Sequence, residues 1–382
     1  MAIKFELQKI NKRARVGKIY TKHGEIQTPV FMPVGTKATV KAMKNNDIHG
    51  IGSQIILGNT YHLMLQPGAE LIAELGGLHK FMNYNLPILT DSGGFQVMSL
   101  SKLRKISEEG VMFSSFLDGE KYNLTPERSM EIQHLLGSTI TMIFDECPAF
   151  PITYQKAKDS MELSLRWAKR SKKAYQERDG YGLFGIVQGS MFADLRKISA
   201  NELQHIGFDG YAIGGLAVGE ERADMLKTLD FTTKLLPEKQ PRYLMGVGRP
   251  FDIIMAIMRG VDMFDCVLPS RMGRNGVAFT RFGEIKIRHQ QYQKDLRPLD
   301  EICNCYACKN HTRAYLHHLF RSDEVLASML MTEHNLAFYH LITKKMREII
   351  ASGAIDEVEK IIQKYGIYGV DNSAALSEVM GV

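Results

Sequence analysis

Apolar residues occur along the chain in short uninterrupted runs, and each run ends at a polar residue or a glycine. Continuous rather than alternating apolar character is typical of parallel strands that are buried on both faces. Eight such runs occur, at 29–35, 54–60, 87–94, 140–146, 183–189, 210–216, 242–248 and 263–269.

Segments with helical periodicity lie between many of these runs. Thr125 and Pro126 give a start signal for one helix, and Gly137 gives its stop signal. Further helices are predicted at 152–176, 191–206, 221–236 and 250–259. Eight strand–helix units predict an α/β fold, a (β/α)8 TIM barrel of about 250 residues. A doubly wound open sheet is the structural alternative, but eight units favour closure.

Two insertions and a C-terminal extension depart from this alternation. Segments 110–125 and 276–288 read as hairpins that turn at Asp118-Gly119 and near Phe282-Gly283. Helices are predicted at about 310–332, 334–352 and 354–365. We therefore expect a catalytic barrel at 1–271, with an N-terminal cover and a hairpin insertion. Residues 272–382 are expected to form a helical C-terminal subdomain that packs on the barrel.

Polar residues and glycines stand where the predicted strands end. In a (β/α)8 barrel these ends form the mouth at which the active site lies. The residues placed there are Asn59, Asp91, Asp145, Gln188, Gly215, Gly246 and Asp265. A single aspartate at such a position is often a helix cap or a hydrogen-bond acceptor. Three aspartates at equivalent strand ends favour a catalytic or binding role.

The surroundings of these residues suit a planar heterocycle with several hydrogen-bond donors. Glycines in "DSGGFQ" (91–96) leave backbone N–H groups accessible, and Phe95 offers a face for stacking. Gly214 and Gly215 again expose backbone, and Gln188 adds an amide. A purine-like base fits this combination of groups. No phosphate loop or dinucleotide fingerprint is found in the sequence.

Two carboxylates beside a sugar–base bond suggest glycosidic chemistry, in which one attacks the anomeric carbon and the other transfers protons. Asp265 is the candidate nucleophile, because a strand holds it among apolar neighbours. A carboxylate in that setting costs free energy unless it is paired or used. Asp262, three residues earlier, is expected to be an exposed residue at the start of the strand.

Three of the five cysteines crowd into "CNCYAC" (303–308), a spacing that favours a metal site over disulfides. A structural zinc needs a fourth ligand, and spacing alone leaves the five histidines His311, His317, His318, His334 and His340 as candidates. An iron–sulfur cluster is the rival, but it requires a fourth cysteine, and Cys266 belongs to a barrel strand.

The chain carries a net charge of +6 over 382 residues, and the basic residues are unevenly placed. Residues 271–313 hold nine Lys/Arg and four Asp/Glu, a local net charge of +5. Such a segment fits a polyanion-binding surface or a solvated face. No apolar run approaches the roughly 18 residues of a membrane helix, and the N-terminus lacks a signal-peptide core. We expect a cytoplasmic protein that does not interact with membranes.

Several motifs, taken together and in this order, resemble the bacterial type of the tRNA-guanine transglycosylase (queuine tRNA-ribosyltransferase) family. They are "DSGGFQV", "FDECP", "GIVQG", "GGLAVGE", "YLMGVGRP", "MFDCVLPSR" with "GRNG", and the C-x-C-x2-C cluster followed by His334. The likeness runs from about residue 5 to about residue 370. It implies a zinc-bearing (β/α)8 barrel that exchanges guanine at the anticodon wobble position (34) of tRNA for a 7-deazaguanine.

The resemblance also implies roles for individual residues. Asp265 matches the nucleophile, and Asp91 matches the proton acceptor that also contacts the base. The other residues matching the base pocket are Ser92, Gly93, Gly94, Phe95, Asp145, Gln188, Gly215, Leu216 and Met245. Those matching RNA-contacting segments are Gly246, Val247, Gly248, Arg249, Pro250, Phe251, Asp252, Ser270, Arg271, Met272, Gly273 and Arg274. Those matching the ligands of one structural Zn²⁺ are Cys303, Cys305, Cys308 and His334.

The bacterial pattern at Cys147 and Val218 implies 7-aminomethyl-7-deazaguanine as the incoming base in queuosine biosynthesis, and the family implies a homodimer. Ser190 stands where glycine is commoner, and Ser270 where threonine is commoner, so we expect tuned substrate contacts. A nucleoside or glycoside hydrolase on the same barrel is the enzymatic alternative. A zinc-dependent RNA-binding protein is the non-enzymatic one, but it leaves three strand-end carboxylates unexplained.

Overall fold

The computed structural model describes residues 2–100, 104–365 and 373–381. Three antiparallel strands begin the chain: β1 Lys4–Asn11, β2 Ala14–Thr21 and β3 Gly24–Thr28. Their sheet lies against the N-terminal ends of later parallel strands, where Ile3 N donates to Tyr181 O at 3.2 Å. This sheet is the N-terminal cover that the sequence predicts.

The central sheet is parallel and curls into a nearly closed barrel, so the predicted (β/α)8 fold is confirmed. Its strands are β4 Val30–Met32, β5 Val34–Gly35, β6 Ile56–Gly58, β7 Ile88–Thr90, β11 Ile140–Met142, β12 Gly182–Val187, β13 Gly210–Ile213, β14 Arg242–Leu244 and β15 Met263–Asp265. The first predicted run is divided at Pro33, because proline has no N–H to continue the ladder. Strand β4 pairs with β15 and β5 pairs with β6, so the ring closes through this divided strand.

The five predicted barrel helices are present, and within the described ranges the structure adds six short ones. They are α1 Asn45–Gly50, α2 Thr60–Leu65, α3 Ala69–Glu74, α4 Gly77–Met82, α5 Gly94–Leu100, α6 Pro126–Leu135, α7 Tyr154–Ala174, α8 Ala193–Ile206, α9 Arg222–Leu235, α10 Pro250–Ile257 and α11 Leu268–Arg274. The Thr125 side chain accepts a hydrogen bond from Arg128 N at 3.1 Å and so caps α6, as expected. The five predicted helices are α6 to α10, whereas the short helices α1 to α5 and α11 were not anticipated from the sequence.

Both predicted hairpins are present. Strands β9 Val111–Ser114 and β10 Lys121–Leu124 form the first, and β8 Arg104–Ile106 adds a third strand that the sequence did not indicate. Strands β16 Val277–Thr280 and β17 Gly283–Lys286 form the second. The first hairpin stands between the third and fourth barrel strands, beside the mouth of the barrel.

The C-terminal helices correct one prediction. They are α12 Tyr306–Asn310, α13 Arg313–Arg321, α14 Val325–Ser352, α15 Ile355–Tyr365 and α16 Ser373–Gly381. The predicted helix at 310–332 is wrong, because the chain breaks at Asp323, whose φ of +53° lies in the left-handed region. The predicted break between 332 and 334 is also wrong, since α14 runs through it without interruption.

Helix α14 belongs to two apolar cores. Its second half, from Leu336 onward, packs in the same core as the barrel strands, together with α15 and α16. Its first half packs with the β16–β17 hairpin and the cysteine segment in a smaller core. The proposed domain boundary at 271/272 falls inside α11 and stays a prediction.

Asp262 is buried rather than exposed, which corrects the expectation for the start of its strand. Arg15 of the cover sheet binds it through Nε and Nη2 at 3.0 and 2.6 Å, and Arg242 N donates to it at 2.7 Å. The carboxylate is therefore paired at the bottom of the barrel. Among the described residues, none of the helices combines the length and apolar character needed to span a lipid bilayer.

Candidate active site

The three predicted carboxylates all lie at the C-terminal mouth of the barrel. Asp91 directly follows β7, Asp145 follows β11 by three residues, and Asp265 is the last residue of β15. Gln188 directly follows β12. Parallel strands in a closed ring end on one side of the barrel, so the sheet itself brings these four side chains together.

Asp265 is held by two donors that bind the same carboxylate oxygen. Tyr243 OH donates to Oδ1 at 2.6 Å, and Gly246 N donates to Oδ1 at 2.8 Å. Among the described residues, no hydrogen-bond donor binds Oδ2. Burial raises the pKa of Asp265, and the two hydrogen bonds oppose that shift. Tyr243 was not singled out in the sequence, where it looks like one more aromatic residue of a buried strand.

Asp91 is buried and accepts hydrogen bonds from three donors. Asn59 Nδ2 binds Oδ2 at 2.6 Å, while Thr60 N and Gly93 N bind Oδ1 at 2.9 and 3.2 Å. Burial raises the pKa of Asp91 to about 7, assisted by the nearby charges of Asp265 and Asp145 and opposed by the backbone donors. A carboxyl with this pKa can donate or accept a proton near neutral pH.

Asp145 is buried and links the two base-recognition segments that the sequence predicts. Ser92 Oγ donates to its Oδ1 at 3.2 Å, and Gln188 Nε2 donates to its Oδ2 at 2.7 Å. Burial raises the pKa of Asp145 to about 6. Gly94 is required beside it, because an added Cβ would lie 2.6 Å from Asp145 O.

Arg196 is a site residue that sequence reasoning missed. It is fully buried on α8, and its guanidinium donates to the carbonyl oxygens of Ser190, Val187 and Gly214 at 2.6, 3.4 and 2.9 Å. It thereby ties the segment after β12 to the segment after β13. Burial lowers the pKa of Arg196 to about 10. The sequence held one signal of this buried role. Arg196 lies on the face of α8 that also carries Leu195, Ser199 and Leu203.

The remaining candidates for the base pocket differ in their exposure. Phe95 exposes half of its side chain on α5, as a stacking face requires. Leu216 is buried and Met245 is half-buried. Ser190 has a φ of +50°, the left-handed region that favours glycine, so its backbone is strained where glycine is commoner.

Cys147 follows Asp145 by two residues, Val218 lies in the segment after β13, and both are half-buried. Burial, assisted by the charge of Asp145, raises the pKa of the Cys147 thiol to about 12, so this side chain is a neutral apolar wall. Val218 N donates to Glu220 Oε2 at 2.9 Å, and Glu220 is a second residue that the sequence did not reveal.

The predicted RNA-contacting residues divide into exposed and buried ones. Gly246, Arg249 and Arg271 are exposed, whereas Met272 and Arg274 are half-buried. The buried ones are Val247, Gly248, Pro250, Phe251, Asp252, Ser270 and Gly273. Arg274 Nη1 donates to Ser270 O at 2.9 Å and stabilises α11 from within. Gly273 packs on α14, where an added Cβ would meet Met331 O at 2.8 Å.

The four predicted metal ligands converge. One ligand atom from each of Cys303, Cys305, Cys308 and His334 lies within 4.8 Å of the others. His334 Nε2 is 2.9 Å from Phe279 O and donates to it, so Nδ1 faces the sulfur atoms with its lone pair. Cys266 is not part of the group, so the group lacks the fourth thiolate that an iron–sulfur cluster requires. This set can hold one metal ion.

Comparison with known proteins gives one consistent result. The sequence model of the family described as "Queuine tRNA-ribosyltransferase" matches residues 10–366. Relatives named "Queuine tRNA-ribosyltransferase" from Rickettsia bellii (strain OSU 85-389) and Rickettsia akari (strain Hartford) are each 60% identical over 349 residues. A relative of the same name from Rickettsia massiliae (strain Mtu5) is 59% identical over the same length. Each alignment covers 91% of this chain and 97% of the relative.

Proposed function

The chain belongs to the queuine tRNA-ribosyltransferase family, and from this premise we propose how the mouth of its barrel exchanges a base on tRNA. The chain is a tRNA-guanine transglycosylase, a pentosyltransferase. We propose that it replaces guanine at the wobble position (34) with 7-aminomethyl-7-deazaguanine, a step of queuosine biosynthesis. The observation that carries the proposal is Asp265, anchored through one carboxylate oxygen beside Asp91.

Asp265 is the nucleophile in this proposal. Tyr243 and Gly246 hold Oδ1, so Oδ2 is the oxygen that attacks C1′ of the target ribose. The C1′–N9 bond breaks, guanine leaves, and a covalent Asp265–ribose ester forms. The incoming base then displaces Asp265 from C1′. Two inversions at one carbon give net retention of configuration.

Asp91 transfers the protons. The departing guanine needs a proton on its ring nitrogen, and the incoming base must lose one before it can attack C1′. A carboxyl whose pKa is about 7 serves both half-reactions, as acid in the first and base in the second. The target base is already in a single-stranded loop, which lowers the cost of extracting it from the stack.

The pocket reads the edge of the base. Asp145 and Gln188 present an acceptor and an amide, Phe95 stacks on the ring, and the backbone at Gly215 and Leu216 supplies further contacts. Cys147 and Val218 bound the space for the aminomethyl group. The bonds of Arg196 to the segments after β12 and β13 support this geometry.

A structural zinc ion is the metal we assign to the cysteine cluster, one per chain. Three thiolates and an imidazole nitrogen are a donor set typical of closed tetrahedral zinc sites. When bound, the zinc ion would fix the cysteine segment to α14. Arg249, Arg271 and Arg274, together with the basic segment 271–313, are the groups we assign to the RNA backbone and to nucleotides beside the target.

A second copy of the chain is the occupant we propose for a groove beside the cysteine cluster. The groove has a volume of about 820 Å³ and is lined by Lys44, Ile302, Tyr306 and Leu326, among others. The last three expose between 40% and 57% of their side chains, an apolar concentration that favours an interface. Sedimentation should report a dimer for the wild type and a monomer for Tyr306→Arg.

The decisive test is incorporation of labelled guanine into unmodified tRNA. We expect wild-type exchange and none in Asp265→Asn, whose amide cannot form the ester. Asp262→Asn, three residues away at the bottom of the barrel, is the matched control and should retain exchange per folded molecule. Release of guanine without exchange would identify a hydrolase instead, and binding of tRNA without turnover would leave only an RNA-binding protein.

A further inference from the structure

The N-terminus of α2 lies directly behind Asp91 and carries a side chain that the proposed chemistry does not use. His62 Nδ1 is 2.6 Å from Asn59 Oδ1. Asn59 Nδ2 in turn donates to Asp91 Oδ2 at 2.6 Å. Three side chains therefore form a hydrogen-bonded line that begins at a half-buried ring and ends at the active-site carboxyl.

The direction of each hydrogen bond in this line is fixed by geometry. The backbone N of His62 also donates to Asn59 Oδ1, at 3.0 Å, which identifies that atom as the acceptor. The facing ring nitrogen, Nδ1, must then carry a hydrogen. The NH2 group of the amide consequently faces Asp91, and Asp91 Oδ2 can only accept from it.

We propose that His62 is a positioning residue for base exchange, which acts through Asn59 to fix the orientation of the Asp91 carboxyl and to favour its ionised form. This inference rests on the proposed role of Asp91 in proton transfer. Donation by His62 polarises the amide of Asn59, and a polarised amide donates more strongly to the carboxylate. Loss of the ring donor weakens that bond and makes the ionised form of Asp91 less favourable.

Titration of His62 itself does not interfere with this role. The charged groups near its ring are Lys37 and Lys41, which together with burial, the larger cause, lower the pKa of His62. Nδ1 carries a hydrogen in the neutral form required here and in the protonated form alike. The charged groups facing Asp91 are Asp265 and Asp145. A change in the pH profile therefore reports Asp91 rather than the imidazole.

Packing of the ring is separable from its hydrogen bond. Phe116, at the tip of the β9–β10 hairpin, lies 6.2 Å from the His62 ring centroid, and Tyr61 lies 5.5 Å from it. Phe116 exposes 53% of its side chain, so its replacement disturbs little of the core. Phe116→Leu therefore perturbs the packing of His62 while keeping the Nδ1 donor.

The experiment compares pH profiles of guanine release from tRNA in single turnover. His62→Phe and His62→Leu remove the donor, whereas His62→Asn keeps an N–H the same number of bonds from the backbone. For the first two variants we expect the alkaline limb, the fall in rate at high pH, to shift to a pH higher by about half to one unit. The maximal rate should fall about three- to tenfold. The tRNA concentration that gives the half-maximal single-turnover rate should stay within about twofold of wild type, since the binding groups are intact. His62→Asn and Phe116→Leu should match the wild type.

Each contrary result has a distinct meaning. Two results together overturn the inference about His62 alone. The alkaline limb is unshifted in a folded His62→Phe or His62→Leu protein, and Asp91→Asn still removes that limb. The same holds if Phe116→Leu gives the shift of His62→Phe, because packing would then be the cause. If Asp91→Asn leaves the limb in place, the proposed proton transfer by Asp91 fails, and the inference fails with it.

Discussion

Among the described residues, the hydrogen-bond partners of the Asp91 carboxyl are all donors, and this determines where on the carboxyl a proton can bind. A carboxylate has about four acceptor positions. Thr60 N and Gly93 N occupy both positions of Oδ1, and Asn59 Nδ2 occupies one of Oδ2. The remaining position on Oδ2 is the one that can take up or release a proton.

At the same scale, the two half-reactions should respond to pH in opposite directions. Release of guanine needs protonated Asp91 and should slow as pH rises through about 7, the pKa of Asp91. Resolution of the covalent intermediate needs the ionised carboxyl and should accelerate over the same range. Rapid-quench assays of each half-reaction measure both limbs. Asp91→Asn should abolish both limbs; a limb that survives in this variant belongs to another group.

Asp262 and Asp265 lie three residues apart, but their substitution by Asn should affect the stability of the fold differently. Asp262→Asn leaves the buried guanidinium of Arg15 without its counter-charge, which should lower the free energy of unfolding by about 3–5 kcal/mol. Asp265→Asn should not destabilise the fold, because it replaces a buried charge by a neutral amide. Urea denaturation monitored by circular dichroism distinguishes them. Equal loss of stability in both variants would contradict the division between support and chemistry.

The sequence located the carboxylates and the amide at the barrel mouth better than the residues that hold them. Asp91, Asp145, Gln188 and Asp265 were predictable because the end of a parallel strand is a position that sequence periodicity reveals. Arg15, which pairs with Asp262, was not, because its partner is 247 residues away. A contact at that separation follows from closure of the barrel, and no local pattern encodes it.

Among the elements, α14 connects the cysteine cluster to α11, the helix that carries two of the arginines we assign to RNA. His334 donates to Phe279 O, and the next residue, Asn335, binds Phe279 N, Pro269 O and Val277 O at 2.8, 2.9 and 2.9 Å. The helix thus fastens β16 and the start of α11 from one side. The sequence placed a break at 332–334, because hydrophobic spacing alone does not distinguish one long helix from two.

Removal of the zinc ion that we assign to this cluster should therefore weaken RNA binding more than base binding. A chelator, or Cys308→Ser, should raise the Kd for tRNA roughly tenfold, equivalent to about 1.4 kcal/mol, because α11 loses its support. Binding of guanine to the barrel mouth should change little. Fluorescence anisotropy and calorimetry measure the two affinities, and added zinc should restore the first after chelation. Equal loss of both affinities would show that the cluster supports the whole barrel.

At the scale of the whole molecule, the positive charge should govern association with tRNA. If Arg249, Arg271 and Arg274 neutralise about three phosphates, affinity should fall about twenty- to fortyfold between about 50 and about 200 mM salt. Arg249→Gln combined with Arg271→Gln should flatten that dependence. Arg166→Gln, on the outer helix α7, is the control and should keep the wild-type slope. If the salt dependence of the double variant equals that of the wild type, the RNA phosphates bind elsewhere on the protein.

The architecture as a whole was predictable because eight apolar runs leave few ways to bury both faces of each strand. The division of the first strand at Pro33 and the distribution of α14 between two cores were not predictable. Both depend on how the ring closes, and closure is decided by partners distant in sequence.

One consequence of the shared core concerns the synthesis of the chain. Leu336, Ile350 and Val379 pack in the same core as Val30 and Phe31 of the first barrel strand. On the ribosome, that strand emerges more than 300 residues before its last packing partners exist. The barrel wall therefore stays incomplete until Val379 has been synthesised and has left the ribosome. A stop codon that ends the chain before α16 would release a product with exposed apolar surface, which chaperones and proteases recognise.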